Sequence, residues 1–163
     1  MEEVRWLTER EERAWRALQF MQMRLEGELA RQLAADSGLS YPDYLVLVAL
    51  TDQPDGRLRL FELADELGWE KSRASHHVRR MTERGLVRKE QCPDDRRGFF
   101  VVLASAGRRA IEAAASGHVA AVRHLVIDRL DPGQLDAVGA VAEAVLAGLN
   151  EPGRDEADPH VRA

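Results

Sequence analysis

The densest chemistry in the sequence lies between residues 71 and 97. Lys71, Ser72, Arg73, Ser75, His76, His77 and Arg80 fall within a ten-residue stretch. Arginine can hold a guanine edge through two parallel hydrogen bonds, and serine and histidine can bond phosphates or bases. Arg96 and Arg97 follow Asp94 and Asp95 in a polar turn. An exposed arginine on a projecting ribbon suits the narrow, electronegative minor groove of DNA. From Lys71 to Arg97 there are nine basic and four acidic residues, a local charge of +5 in a chain whose net charge is -5. A basic centre between acidic flanks aims one surface at phosphates while the rest repels them. His76 and His77 also invite a metal reading. Neighbouring helical residues point about 100° apart, so the two make a poor chelating pair, and DNA contact or exposure is expected for both.

The elements that must position these groups follow from periodicity. Phe61, Leu63, Ala64 and Leu67 give one helical face, ended by Gly68. Lys71 to Arg84 reads as a second helix with Ala74, Val78 and Met81 inward, ended by Gly85. Together they form a helix-turn-helix, whose second helix would enter the major groove. Leu86 to Gln91 and Phe99 to Leu103 are short β-rich runs. Residues 92–98 separate them as an exposed hairpin tip. Upstream, Thr8 to Ala35 reads as one long helix, with Trp15, Leu18, Leu25, Leu29 and Leu33 at helical spacing. Ser40 to Leu50 is a second, largely buried helix with Pro42 in its first turn. Leu58 to Leu60 is a candidate short strand. Downstream, Ile111, Ala115, His118, Val122 and Leu125 form one heptad-like seam, and Leu135, Val138, Ala142, Val145 and Leu149 form another. Pro132 and Gly133 break the chain between them.

The fold expected is therefore mainly α: a winged helix-turn-helix with long N- and C-terminal dimerisation helices and a small β-hairpin wing. Four segments follow: residues 1–38 as the N-terminal dimerisation helix, 39–104 as the winged unit, 105–150 as the C-terminal dimerisation helices, and 151–163 as a polar, disordered tail with two prolines. The small winged unit cannot cover the apolar seams of the terminal helices, so a second copy is expected to bury them in a C2 dimer.

Composition bounds the function. The chain is 163 residues long, 45% hydrophobic and 31% charged. It has no apolar run near the roughly 20 residues of a membrane span, and its acidic start lacks an apolar signal core. No membrane partner and a cytoplasmic location are expected. The single cysteine, Cys92, excludes an internal disulfide and a multi-cysteine zinc cage. There is no nucleophile elbow, Gly-rich phosphate loop or zinc-helix motif, so neither an enzyme nor a cofactor is expected. The competing reading is a helical dimeric interaction module without specific DNA binding. The basic helix and Arg97 argue against it.

Leu63-Ala64-Asp65-Glu66-Leu67, the run Lys71 to Val78, Gly85-Leu86-Val87-Arg88, Asp95-Arg96-Arg97-Gly98, Val102-Leu103 and Gly107 together resemble the MarR family of transcriptional regulators. The likeness spans roughly residues 8 to 150, and the wing segment is its most specific part. It implies a homodimeric repressor that binds a near-palindromic site on double-stranded DNA. It places Arg97 at the family's wing-tip arginine and Asp95 at the aspartate that supports it. Many members release DNA when a small aromatic or phenolic effector binds between the dimer helices and the DNA-binding lobe. Trp15, Phe20, Met23, Tyr41 and Tyr44 are the candidates for that region here. Two departures stand out. Ala104 replaces the usual capping threonine, leaving Ser105 to cap one residue later. Arg73 replaces a frequent threonine of the recognition helix.

Overall fold

The computed structural model of the chain describes residues 4–92 and 95–149, with backbone alone for 95–97. The N-terminal residues 1–3, residues 93 and 94, and residues 150–163, which include the tail segment 151–163, lie outside the described residues. The chain divides into two compact units, residues 1–121 and 122–163.

In the first unit, helix α1 (Glu9–Ser37) starts from a reciprocal capping box, in which Thr8 and Glu11 satisfy each other's backbone N–H groups. Helix α2 (Tyr41–Thr51) starts from a second capping box, made by Ser40 and Asp43, with Pro42 in the first turn. Strand β1 (Arg57–Arg59) is followed at once by α3 (Leu60–Glu66). Leu60 thus opens the helix rather than ending the strand. The face of α3 is also shifted from the periodicity expected: Leu63 and Ala64 are buried, but Phe61 is exposed.

Helix α4 (Lys71–Glu83) is separated from α3 by the turn at Gly68, where φ is +61° and a side chain would be strained. Strands β2 (Val87–Cys92) and β3 (Asp95–Leu103) form the wing, and β1 pairs with β3, giving the antiparallel order β1-β3-β2. The wing strands run further than the sequence pattern suggested. The ladder continues past an irregularity at Gln91 and Cys92, until Cys92 stands opposite Asp95. Cys92 is buried rather than part of an exposed tip.

Leu33, Leu47, Leu50, Leu63, Val78, Met81 and Val101 form the centre of one core, closed by Ile111 from α5 (Ser105–Leu125). The inner seam of α5 is Gly107, Ile111 and Ala114, and Ala115 is exposed instead. Ser105 does not cap α5. It is the first helical residue, the carbonyl of Ala104 accepts from Arg108 N, and Ala104 N donates to the Leu86 carbonyl. Backbone pairing therefore fixes the helix start that a side chain was expected to fix. The same carbonyl explains Gly107: a Cβ there would lie 2.1 Å from Leu86 O.

In the second unit, a short 3-10 turn (Ile127–Arg129) precedes α6 (Pro132–Leu149). Asp131 and Gln134 mark the start of α6 with a reciprocal pair of hydrogen bonds, each backbone N–H donating to the other's side-chain oxygen. No residue of α6 is buried, and Leu135, Val138, Val141, Val145, Leu146 and Leu149 are between 41% and 60% exposed.

Candidate nucleic-acid interface

The two faces of α4 have separate tasks. Ala74, Val78 and Met81 enter the core at helical spacing, which locks the rotation of the helix about its axis. That rotation leaves Lys71, Ser72, Arg73, His76 and Arg80 exposed, with Ser75 half-buried. Six of the seven candidates on this helix are thus carried together on a solvent-facing surface that starts at its N-terminus. Early-turn amides and the helix dipole add to the attraction for phosphate.

His77 corrects the sequence reading. It is buried, not exposed, and so stands behind the surface rather than on it. Its Nδ1 lies 2.9 Å from a guanidinium nitrogen of Arg80. A guanidinium can only donate, so Nδ1 accepts and the ring proton sits on Nε2. Nε2 lies 3.1 Å from Oδ1 of Asp43 on α2, off the line of an ideal hydrogen bond. The His77 ring also meets Trp69 edge-on, with centroids 5.4 Å apart. Trp69 in turn carries the Arg73 guanidinium 4.6 Å over its ring, an attraction typical of cation–π pairs.

Asp43 is the other residue that the sequence reading missed. It is buried and makes three contacts across two elements. It completes the capping box of α2, faces His77 of α4, and accepts a 2.6 Å hydrogen bond from Arg84 at the C-terminal end of α4. Arg84 also donates to the carbonyl of Gly38. It is therefore a tie between α4 and the α1–α2 junction. Burial alone would raise the Asp43 carboxyl. The close approach of His77 and hydrogen bonds from Arg84 and Ser40 outweigh it and hold the group well below the usual carboxylate range. A signal for His77 did exist in the sequence. It stands three residues after Ala74 and four before Met81, on the inward stripe of α4.

On the wing, Arg88 and Lys89 are exposed. Lys89 lies 4.4 Å over the Phe99 ring, and Arg57 and Arg59 flank Phe100 at 4.7 and 5.5 Å. The Gln91 side chain donates to the Gly98 carbonyl, tying the two strands near their far end. Asp95, Arg96 and Arg97 lie on β3 by backbone, and their side chains fall outside the described residues.

The five effector candidates do not share one environment. Trp15, Phe20 and Met23 are 53–62% exposed on α1. Tyr41 and Tyr44 instead pack against the core, and Tyr44 meets the His118 ring at 4.3 Å. Burial raises both phenols, aided by Glu26 at Tyr41 and by Tyr41 and Asp52 at Tyr44. Burial also lowers His118. An open hollow of about 530 Å³ runs along α1, lined by Gln19, Gln22, Met23, Glu26, Gly27 and Ala30. Of the five candidates, Met23 borders it. Among the described residues, no group of three or more His, Cys, Asp or Glu side chains could hold a metal ion.

The element order, the three-stranded wing and the split-faced α4 define a winged helix-turn-helix protein. A sequence profile of the MarR family matches residues 37–98. The chain is similar in structure to Sco3205, a MarR family transcriptional regulator from Streptomyces coelicolor solved in complex with DNA. The two share 41% identity over 93% of this chain and 95% of that one, with a TM-score of 0.87. It is also similar to AbsC, a MarR family regulator from the same organism, at 36% identity over 90% and 98% of the two chains and a TM-score of 0.82. BpsR of Bordetella bronchiseptica, whose DNA binding is regulated by 6-hydroxynicotinic acid, shares the fold at 21% identity, 82% and 98% coverage and a TM-score of 0.71. A search of curated proteins returns no match. The chain belongs to the MarR family of transcriptional regulators.

Proposed function

We propose that this protein is a cytoplasmic, homodimeric, sequence-specific DNA-binding repressor. The observation that carries the reading is α4: its inner face is fixed in the core, and its outer face offers Lys71, Ser72, Arg73, Ser75, His76 and Arg80 from the first turn onward. Such a helix presents base-reading and phosphate-binding groups in one fixed orientation, which is what major-groove recognition requires. Arg97 at the wing reaches the adjacent minor groove, Arg96 adds phosphate contact, and Asp95 supports the wing. Similarity to a relative solved with DNA supports this assignment.

Dimerisation accounts for the second unit. The apolar side chains of α6, with Trp6, Leu7, Trp15 and Phe20 near the start of the chain, are exposed when the chain is taken alone. Residues 1–38 and 105–150 are the dimerisation segments, and 39–104 the DNA-binding domain. A two-fold pair sets its recognition helices about 34–36 Å apart, so the operator is a near-palindrome. A dimer seated on a promoter excludes polymerase, hence repression. A small aromatic acid that favours a DNA-incompetent arrangement would relieve it. Tyr41 and Tyr44 contribute to that site from the core side, and Trp15, Phe20 and Met23 from α1. No described helix is long and apolar enough to cross a membrane, in keeping with a cytoplasmic regulator.

Selection of binding sites from a random duplex pool tests the reading. The expected product is an inverted repeat, bound with an affinity that falls steeply with salt as several phosphate contacts are screened. Recovery of no enriched sequence would overturn it.

A further inference from the structure

We propose that Asp43, His77 and Trp69 are positioning residues for DNA recognition, which preset the Arg73 and Arg80 side chains and tie their orientation to α2. The proposal rests on the DNA-binding reading of α4 and adds a mechanism of specificity to it.

A free arginine samples many rotamers, and each one frozen on binding costs conformational entropy. Two arginines of the recognition surface are held before any DNA arrives. Arg73 lies against the Trp69 ring, and Arg80 donates to His77 Nδ1. Both supports are coupled, because Trp69 and His77 touch each other edge to face. The pair is anchored in turn: His77 Nε2 faces the buried Asp43 carboxylate, which itself accepts from the Ser40 backbone N–H and from Arg84. The Asp43 contact also fixes the tautomer. With the ring proton drawn to the Asp43 side, Nδ1 remains an acceptor and can hold only a donor such as Arg80. Reversing the tautomer would set an N–H against the guanidinium. One carboxylate on α2 thereby decides what the outer face of α4 presents.

The arrangement separates two consequences of substitution. His77→Gln retains a donor near the Nε2 position for Asp43 but removes the Nδ1 acceptor for Arg80. Trp69→Leu keeps apolar bulk but removes the π face beneath Arg73. The test measures, for full-length protein, the affinity ratio between the duplex selected from the random pool and a scrambled duplex. His77→Gln is expected to lower that ratio about tenfold, the scale of one lost base-reading arginine. The double variant His77→Gln/Arg80→Ala is expected to match Arg80→Ala alone, because both remove the same interaction. Trp69→Leu and Arg73→Ala form the parallel pair, with the same non-additivity, and serve if His77→Gln does not fold. A merely structural role predicts lower melting temperatures with an unchanged ratio. An unchanged ratio in folded variants, or additive effects in both cycles, would overturn the proposal. If the unsubstituted protein enriches no sequence, the DNA-binding reading fails instead, so the two failures are distinct.

Discussion

Helices α4 and α6 are a polar helix that is anchored and an apolar helix that is not. α4 is crowded with charge, yet it buries Ala74, His77, Val78 and Met81 and ties its far end to Asp43 through Arg84. α6 is rich in valine, leucine and alanine, yet it buries nothing within its own chain. The difference lies in where each helix finds its partner. α4 is complete in one copy, and its exposed face needs something anionic. α6 leaves an apolar seam in water, which soluble chains rarely keep, and it needs another apolar surface. Fold and function are thus divided between a winged unit with its own core and a helix whose apolar seam, in the proposed dimer, is covered by a second copy.

The largest expected effect tests the incomplete half. Val145→Asp sets a charge in the α6 seam, where pairing would bury it without a partner. Light scattering is expected to give twice 18.3 kDa for the unsubstituted protein and 18.3 kDa for the variant. An unchanged mass would remove α6 from the dimer interface.

The next tests the complete half. Gly107→Ala drives a methyl group toward the Leu86 carbonyl, Leu47 and Leu103, all within 3.1 Å of the added Cβ. Overpacking of this kind costs about 1–3 kcal/mol, or more where backbone must move. Urea unfolding is expected to show that loss. A neutral result would mean that α5 can slide off the wing.

A smaller effect concerns the tie between α2 and α4. Asp43→Asn is expected to lower stability at neutral pH by about 1–2 kcal/mol, since a charged hydrogen-bond partner is lost at a site where Arg84 is half exposed. The pH dependence has a definite sign. The folded-state carboxyl is held below its ordinary value near 3.8, so its contribution is present above that pH and fades as pH falls further. The gap between the unsubstituted protein and the variant should therefore be constant near neutrality and narrow in acid. A gap that widens in acid would contradict the assignment.

The same contrast explains what could be read from sequence. The order of helices, the helix-turn-helix and the exposed character of Lys71, Arg73 and Arg80 followed from local spacing, because the side chains that set a helix face lie three or four residues apart. The apolar seam of α6 was legible for the same reason. The roles of Asp43 and Arg84 were not, since the two partners stand 41 residues apart and each has an ordinary local explanation, as a capping residue and a helix-end cation. His77 was hidden by its polarity, although its position matched the buried stripe. The wing was read too short because its ladder continues through Cys92 and Asp95, where pairing depends on backbone rather than on residue type. The effector candidates were grouped because the family resemblance places an effector near the first two helices, not because local spacing brings them together. They lie in two environments, three exposed on α1 and two tyrosines against the core.

In the proposed complex two copies of α4 read one two-fold DNA site. Hydroxyl-radical footprinting of the full-length protein on the duplex selected from the random pool tests it most directly. Two equivalent protected patches are expected on one side of the duplex, centred about one helical turn apart, both weakened together by Arg73→Ala. A single unrepeated patch, or symmetric protection indifferent to Arg73→Ala and Arg80→Ala alike, would contradict it.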